Sequence, residues 1–140
     1  MDNDLQAIQQ LVRELYRSIS FQSKQPPDWT ALKGCFWDRA QLIRAGLSGI
    51  EHYNLERFIE WVEQARANGL GSFQEEETDA STHMMGSLAH RASHYRATIE
   101  GGAIEGVNSI QMLKCQGQWR IISLLWDVPA PNGSGRFPPA

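Results

Sequence analysis

The stretch from Gly106 to Asp127, GVNSIQMLKCQGQWRIISLLWD, sets the tightest limit on what this chain can fold into. β-Branched and aromatic residues crowd both halves, and Gln116-Gly117-Gln118 divides them as a turn would. The segment reads as two long strands of one hairpin. A strand wetted on one side alternates apolar with polar residues, and this one does not. Strict alternation puts Trp119, Ile121 and Leu125 on one face, and Ile122, Leu124, Trp126 and Val128 on the other. Both faces are apolar, so the hairpin has to be covered on both sides.

The rest of the chain supplies one cover. Asn3 or Asp4 can cap a first helix, in which Leu5, Ile8, Leu11, Val12, Leu15, Tyr16 and Ile19 recur at helical spacing. Gln25-Pro26-Pro27 ends that region, and Asp28 caps a short helix over Trp29–Gly34. A strand follows over Phe36–Ala45, then a loop from Gly46 to Gly49. Asn54 caps a third helix, LERFIEWVEQARAN, closed by Gly69. Four strands come next, over Phe73–Ser81, Leu88–Glu100, Val107–Cys115 and Trp119–Val128, with glycine-bearing turns between them. Helices early and strands late describe an α+β domain with an antiparallel meander.

The chain has 140 residues, 41% hydrophobic and 21% charged, enough for one domain with its own core. That domain is expected over 1–128, followed by a Pro/Gly-rich tail over 129–140 that lacks periodicity. The net charge of −3, with no run of Lys or Arg, argues against nucleic acid or an anionic membrane as partner. The start, MDNDLQAIQQ, is acidic and polar, unlike a signal peptide, and no apolar run reaches the roughly 18 residues of a membrane span. A cytoplasmic protein is expected. Cys35 and Cys115 are far apart and in no metal or redox spacing, so both are expected as free, buried thiols.

One sheet face takes the helices. The other is still partly apolar in the last two strands, and no element is left to cover it. A second copy of the chain would, so a homodimer through the sheet is expected.

The order of elements, the helix-one stripe, CFWDRAQLI after the short helix, and the G-x-W-R-I ending of the sheet resemble the nuclear transport factor 2-like superfamily. AHRASHY followed by GVNSIQ and SLLWD is similar to an uncharacterised bacterial subgroup. The resemblance spans about Leu5 to Asp127. It implies a curved sheet wrapped by three helices into a cone, open at one end over a pocket. The superfamily includes ketosteroid isomerase, scytalone dehydratase, limonene epoxide hydrolase, polyketide cyclases and non-catalytic binding subunits, so fold does not give function.

By comparison with ketosteroid isomerase, which uses an Asp base on the first strand, a helix-one Tyr and a protonated late-strand acid, Tyr16 matches. Arg44 stands where the base belongs and Asn108 where the acid belongs, which argues against steroid-type isomerisation. Asp38 is read as a cap or turn residue. Arg44 can clamp a carboxylate or phosphate, or pair with Glu75 or Glu77 on the next strand. Glu75 and Glu77 share a strand face, as solvated residues or as paired pocket carboxylates. His90 and His94, four apart on a strand, are about 13 Å apart and cannot share a metal, although either could act alone as acid or base. No metal site, cofactor motif or catalytic triad stands out.

The candidate pocket residues are Tyr16, Arg44, Phe58, Trp61, Tyr95, Asn108, Gln111 and Trp126: aromatic walls with a few polar groups. A small apolar or amphipathic molecule is the expected ligand, and the catalytic residues are left unassigned. Three functions stay open: a cofactor-independent lyase, isomerase or hydrolase; a non-catalytic binding protein; or a dimeric interaction module with a filled interior. A titratable group facing an open cavity would favour the first.

Overall fold

A computed structural model describes residues 2–46 and 49–127. Helix α1 runs over Asp2–Ile19, α2 over Trp29–Cys35 and α3 over Leu55–Ala67. The strands are β1 (Phe36–Gly46), β2 (Gly49–Tyr53), β3 (Gln74–Met85), β4 (Leu88–Ile99), β5 (Gly102–Cys115) and β6 (Gln118–Asp127). They form one open sheet in the order β2-β1-β6-β5-β4-β3. The tail expected over 129–140 lies outside the described residues, as does Val128.

Helices α2 and α3 start where the sequence places their caps, whereas α1 already begins at Asp2, so Asn3 and Asp4, expected as its cap, lie inside the helix. Asp28 accepts a hydrogen bond from the Ala31 N–H at 3.1 Å, and Asn54 accepts one from the Arg57 N–H at 2.8 Å. Such caps satisfy donors that a helix start leaves open. The turn between β5 and β6 has positive φ at both Gln116 and Gly117, 53° and 80°. That is the backbone twist a two-residue hairpin needs.

The curved sheet and the three helices enclose a cone. On its inner side Ile8, Val12 and Leu15 of α1 and Leu32 of α2 meet Leu42, Ile110, Met112 and Ile121, all buried in one apolar cluster. Helix α3 carries the expected stripe of Leu55, Phe58, Ile59, Val62 and Ala65, yet none of its residues is fully buried. Its Phe58, Val62 and Ala65 border a cavity that Leu15, Tyr16 and Ile19 of α1 also line.

The structure corrects the sequence reading at four places. The sheet is mixed: β1 runs parallel to β6, and every other pairing is antiparallel. Between the loop expected from Gly46 to Gly49 and α3 lies a strand the sequence reading left out, β2, which pairs Leu42 with Tyr53 and Gly46 with Gly49. Five short, largely exposed residues carry no alternation by which to find such a strand. Third, Ile122 is an extra residue in β6, since Met112 pairs with Ile121 and Gln111 with Ser123. A bulge of this kind resets the alternation. It places Leu124 and Trp126 on the inner side with Trp119 and Ile121, and leaves Leu125 exposed. Fourth, Cys35 is buried but Cys115 is exposed, at the strand end beside the turn.

Candidate functional site

Between α1, α3 and the inner face of the sheet lies a cavity of about 340 Å³. Its walls are chiefly apolar, with Leu15 and Ile19 from α1, Phe58 and Val62 from α3, and Leu124 and Trp126 from β6 among them. The Phe58 and Trp126 rings meet edge to face, 6.0 Å between centroids, and Trp61 lies 6.4 Å from Trp126. The polar groups that reach the cavity are Tyr16, Arg44, Glu75, Tyr95, Asn108 and Asp127.

Behind one wall runs a buried polar chain. Arg91 is 5% exposed and grips Glu77 with two hydrogen bonds, at 2.9 and 2.6 Å. A third donor of the same guanidinium reaches Thr82 Oγ1 at 2.6 Å. Such a fork holds a carboxylate in one orientation. Ser93 donates to Glu77 at 2.6 Å, and Tyr16 Oη lies 2.6 Å from Ser93 Oγ. The Asn108 amide then donates to Tyr16 Oη at 3.0 Å and to Glu75 Oε2 at 3.3 Å.

The direction of this chain follows from its charged end. A carboxylate can only accept, so the single Ser93 proton goes to Glu77. Ser93 Oγ must then accept, and Tyr16 spends its own proton on Ser93. Towards Asn108, Tyr16 is therefore an acceptor. Although a tyrosine stands on helix one, its proton already has a protein partner.

Glu75 sits where the chain meets the cavity. It is half-buried and lines the cavity. Burial among apolar groups penalises its charge and pushes its carboxyl up to about 7, against a smaller downward pull from the Asn108 hydrogen bond. Burial, and next the negative charge of Glu75, raises Tyr16 far above the usual phenol range. The same two causes, in the same order, push Tyr95 up to about 12. Both phenols thus stay protonated wherever Glu75 titrates.

Arg44 occupies another part of the wall. It pairs with Glu51 on β2 at 2.5 Å and lies over the Trp61 ring, 5.2 Å from its centroid. Tyr53 also donates to Glu51, at 2.9 Å. The expected partners Glu75 and Glu77 are not the ones Arg44 takes; the overlooked strand β2 supplies Glu51 instead.

Of the candidates from sequence, Tyr16, Arg44, Phe58, Trp61, Tyr95, Asn108 and Trp126 line this one cavity. Gln111 does not. On β5 the inner positions are Asn108, Ile110 and Met112, and Gln111 lies on the opposite face, accepting from Ser123 at 3.0 Å. His90 pairs with Gln111 across the strands and touches Ser109 Oγ at 2.9 Å. It and His94 alternate away from the inward Arg91, Ser93 and Tyr95, so neither histidine reaches the cavity. Asp38 is exposed on β1, whereas Asp28 does the capping. Glu75, absent from the candidate list, is the residue the sequence hid best. The available signal was Phe73, two positions earlier on the same face, which packs on Phe21 at 6.2 Å. Among the described residues, no group of three His, Cys, Asp or Glu side chains could hold a metal ion.

No protein-family model matches the chain, and no curated protein matches it either. Solved structures do. A protein of unknown function from Pseudomonas putida, described as NTF2-like, matches with a TM-score of 0.73 at 15% identity, over 100% of this chain and 98% of that one. The fold is nuclear transport factor 2-like. A protein of unknown function with a cystatin-like fold from Nostoc punctiforme matches at TM-score 0.71 and 16% identity, over 94% of this chain and 95% of that one. A hexachlorocyclohexane dehydrochlorinase, LinA type 3, from Novosphingobium barchaimii matches at TM-score 0.69 and 16% identity, over 88% of this chain and 84% of that one. At such identities the likeness is one of fold, and chemistry has to be argued from the cavity.

Proposed function

We propose that this chain is a small-molecule pocket protein and a cofactor-independent enzyme of lyase, isomerase or hydrolase type, with Glu75 as its general acid–base and an apolar organic molecule as substrate. The observation that carries the reading is Glu75 itself: a carboxyl facing an apolar cavity, held by Asn108 and pushed up to about 7. A group titrating near neutral pH takes and returns protons most effectively there. In its ionised form Glu75 takes a proton from a substrate C–H, leaving the electron pair on the substrate. That pair either expels a leaving group or shifts the double bond, and the carboxylic acid returns its proton in the second case. A cavity of about 340 Å³ has the size and lining of a small-ligand site. Its openness argues against an interaction module with a filled interior. That a dehydrochlorinase shares the fold supports a lyase-type reaction. The protein acts as a cytoplasmic homodimer in this reading. No described helix is long and apolar enough to cross a membrane.

The test joins a titration to a reaction. Carboxyl-carbon NMR of Glu75 should show a midpoint near 7. Deuterium exchange at the acidic C–H of 2-tetralone, a neutral bicyclic ketone, should run faster with protein than in buffer. Glu75→Gln should slow it by about 10²-fold or more. Equal exchange in both proteins, or none above buffer, sinks the catalytic reading and leaves a non-catalytic ligand-binding protein.

A further inference from the structure

Tyr95 lies in β4 and is only 6% exposed, with its side chain lining the cavity. Its position has been cleared for it. Directly across on β5 is Gly106, where an added Cβ would stand 2.6 Å from Tyr95 Oη and 2.9 Å from Cζ. Any side chain there would drive the phenol out of place. Sequence and sheet register together thus lay the ring flat across a bare stretch of backbone.

Among the described residues the Tyr95 hydroxyl has no hydrogen-bond partner. The other polar groups nearby are engaged: Tyr16 with Ser93 and Asn108, Ser93 with Glu77, and Asn108 with Tyr16 and Glu75. No fully buried side-chain polar atom among the described residues lacks a partner, so the Tyr95 hydroxyl, though its ring is buried, keeps accessible surface. The direction of the chain described above also matters. It commits the Tyr16 proton to Ser93, and the Asn108 amide protons go to Tyr16 and Glu75. Tyr95 is then the tyrosine whose proton is free to turn towards a molecule in the cavity.

We infer that Tyr95 is a specificity residue, which donates a hydrogen bond to a single acceptor oxygen on a neutral, otherwise apolar ring compound bound in this cavity. The inference rests on the reading of the cavity as a small-molecule site and adds the class of ligand. The surrounding aromatic and aliphatic walls repay burial of a hydrocarbon ring, and the neutral Tyr95 hydroxyl, away from the Arg44–Glu51 pair, repays burial of one oxygen. A ligand without that oxygen leaves the phenol unsatisfied; a ligand with several leaves its own acceptors unsatisfied.

The experiment compares 2-tetralone with tetralin, the same bicyclic skeleton without the oxygen, by quenching of tryptophan fluorescence. The wild-type protein should bind 2-tetralone about tenfold more tightly than tetralin. Tyr95→Phe keeps the ring and should erase that preference while leaving tetralin binding unchanged. Gly106→Ala, which displaces the phenol, should weaken the preference in the same direction. The inference is overturned if the preference survives in Tyr95→Phe. It is also overturned if both ligands lose affinity equally, which marks a packing role, or if wild-type protein binds neither. Glu75→Gln separates the two readings. If it leaves deuterium exchange unchanged while Tyr95→Phe still erases the preference, catalysis by Glu75 falls and the role of Tyr95 stands.

Discussion

Glu75 links the energetics of folding to those of the site. Its folded-state value of about 7 lies above the ordinary 4.5, so the native protein binds a proton that the unfolded chain has released between those limits. The sign follows by linkage. The stabilisation is fully present below pH 4.5 and is lost as pH rises through about 7, because the ionised carboxyl has to be held in an apolar cavity. Denaturant titrations at several pH values should therefore show stability falling across pH 5–7. In Glu75→Gln that part of the slope should disappear, since an amide does not titrate; an identical slope in both proteins would show that Glu75 is well solvated. The same desolvation that costs stability above neutral pH produces a base of useful strength. A site of this kind gives up stability to keep its chemistry. On sequence, Glu75 was one of three consecutive acids, and only Phe73, two positions earlier, set its face apart from a solvated one. Its neighbours in space, Asn108 and Tyr16, are 33 and 59 positions away in the chain.

Strand β6 shows how one extra residue moves a site. Without the bulge at Ile122, alternation would turn Leu124 and Trp126 away from Trp119 and Ile121, as the sequence pattern implies. With it, all four face inward, and Trp126 meets the α3 aromatics Phe58 and Trp61. Trp126 is half-buried there, because one side of its ring faces the cavity. Truncating it removes ring contacts on its packed side alone. Trp126→Ala should cost about 2–3 kcal/mol, less than a fully packed tryptophan. Urea unfolding checks this; a loss under about 1 kcal/mol would show that α3 holds its place without the ring. Helices were easier to read than strands. Asp28 and Asn54 advertise their caps locally, through a hydrogen bond three residues ahead. A bulge depends on the partner strand, and no local pattern encodes it.

Among the described residues no helix or strand covers the outer face of the sheet. Leu125 is 42% exposed there, beside half-buried Ile122 on the same strand. If a second copy covers this face, sedimentation velocity at micromolar protein should give a mass near twice the 15.8 kDa of the chain. A single species at the chain mass would refute the homodimer.

The α+β class, the three helices, the late strands and most of the cavity-lining aromatics were legible in the chain. Their signals are periodicity, caps and turn residues, all of which act within a few positions. The parallel pairing of β1 with β6, the short strand β2, the bulge that brings Trp126 onto one face with Trp119 and Ile121, and the outward turn of Gln111 were not. Neither was the promotion of Glu75 from a charge in an acidic run to a carboxyl near neutral titration. Each of these depends on which distant segment lies alongside. Register, bulges and desolvation arise only when the sheet closes around its helices, and the cavity chemistry comes from those three.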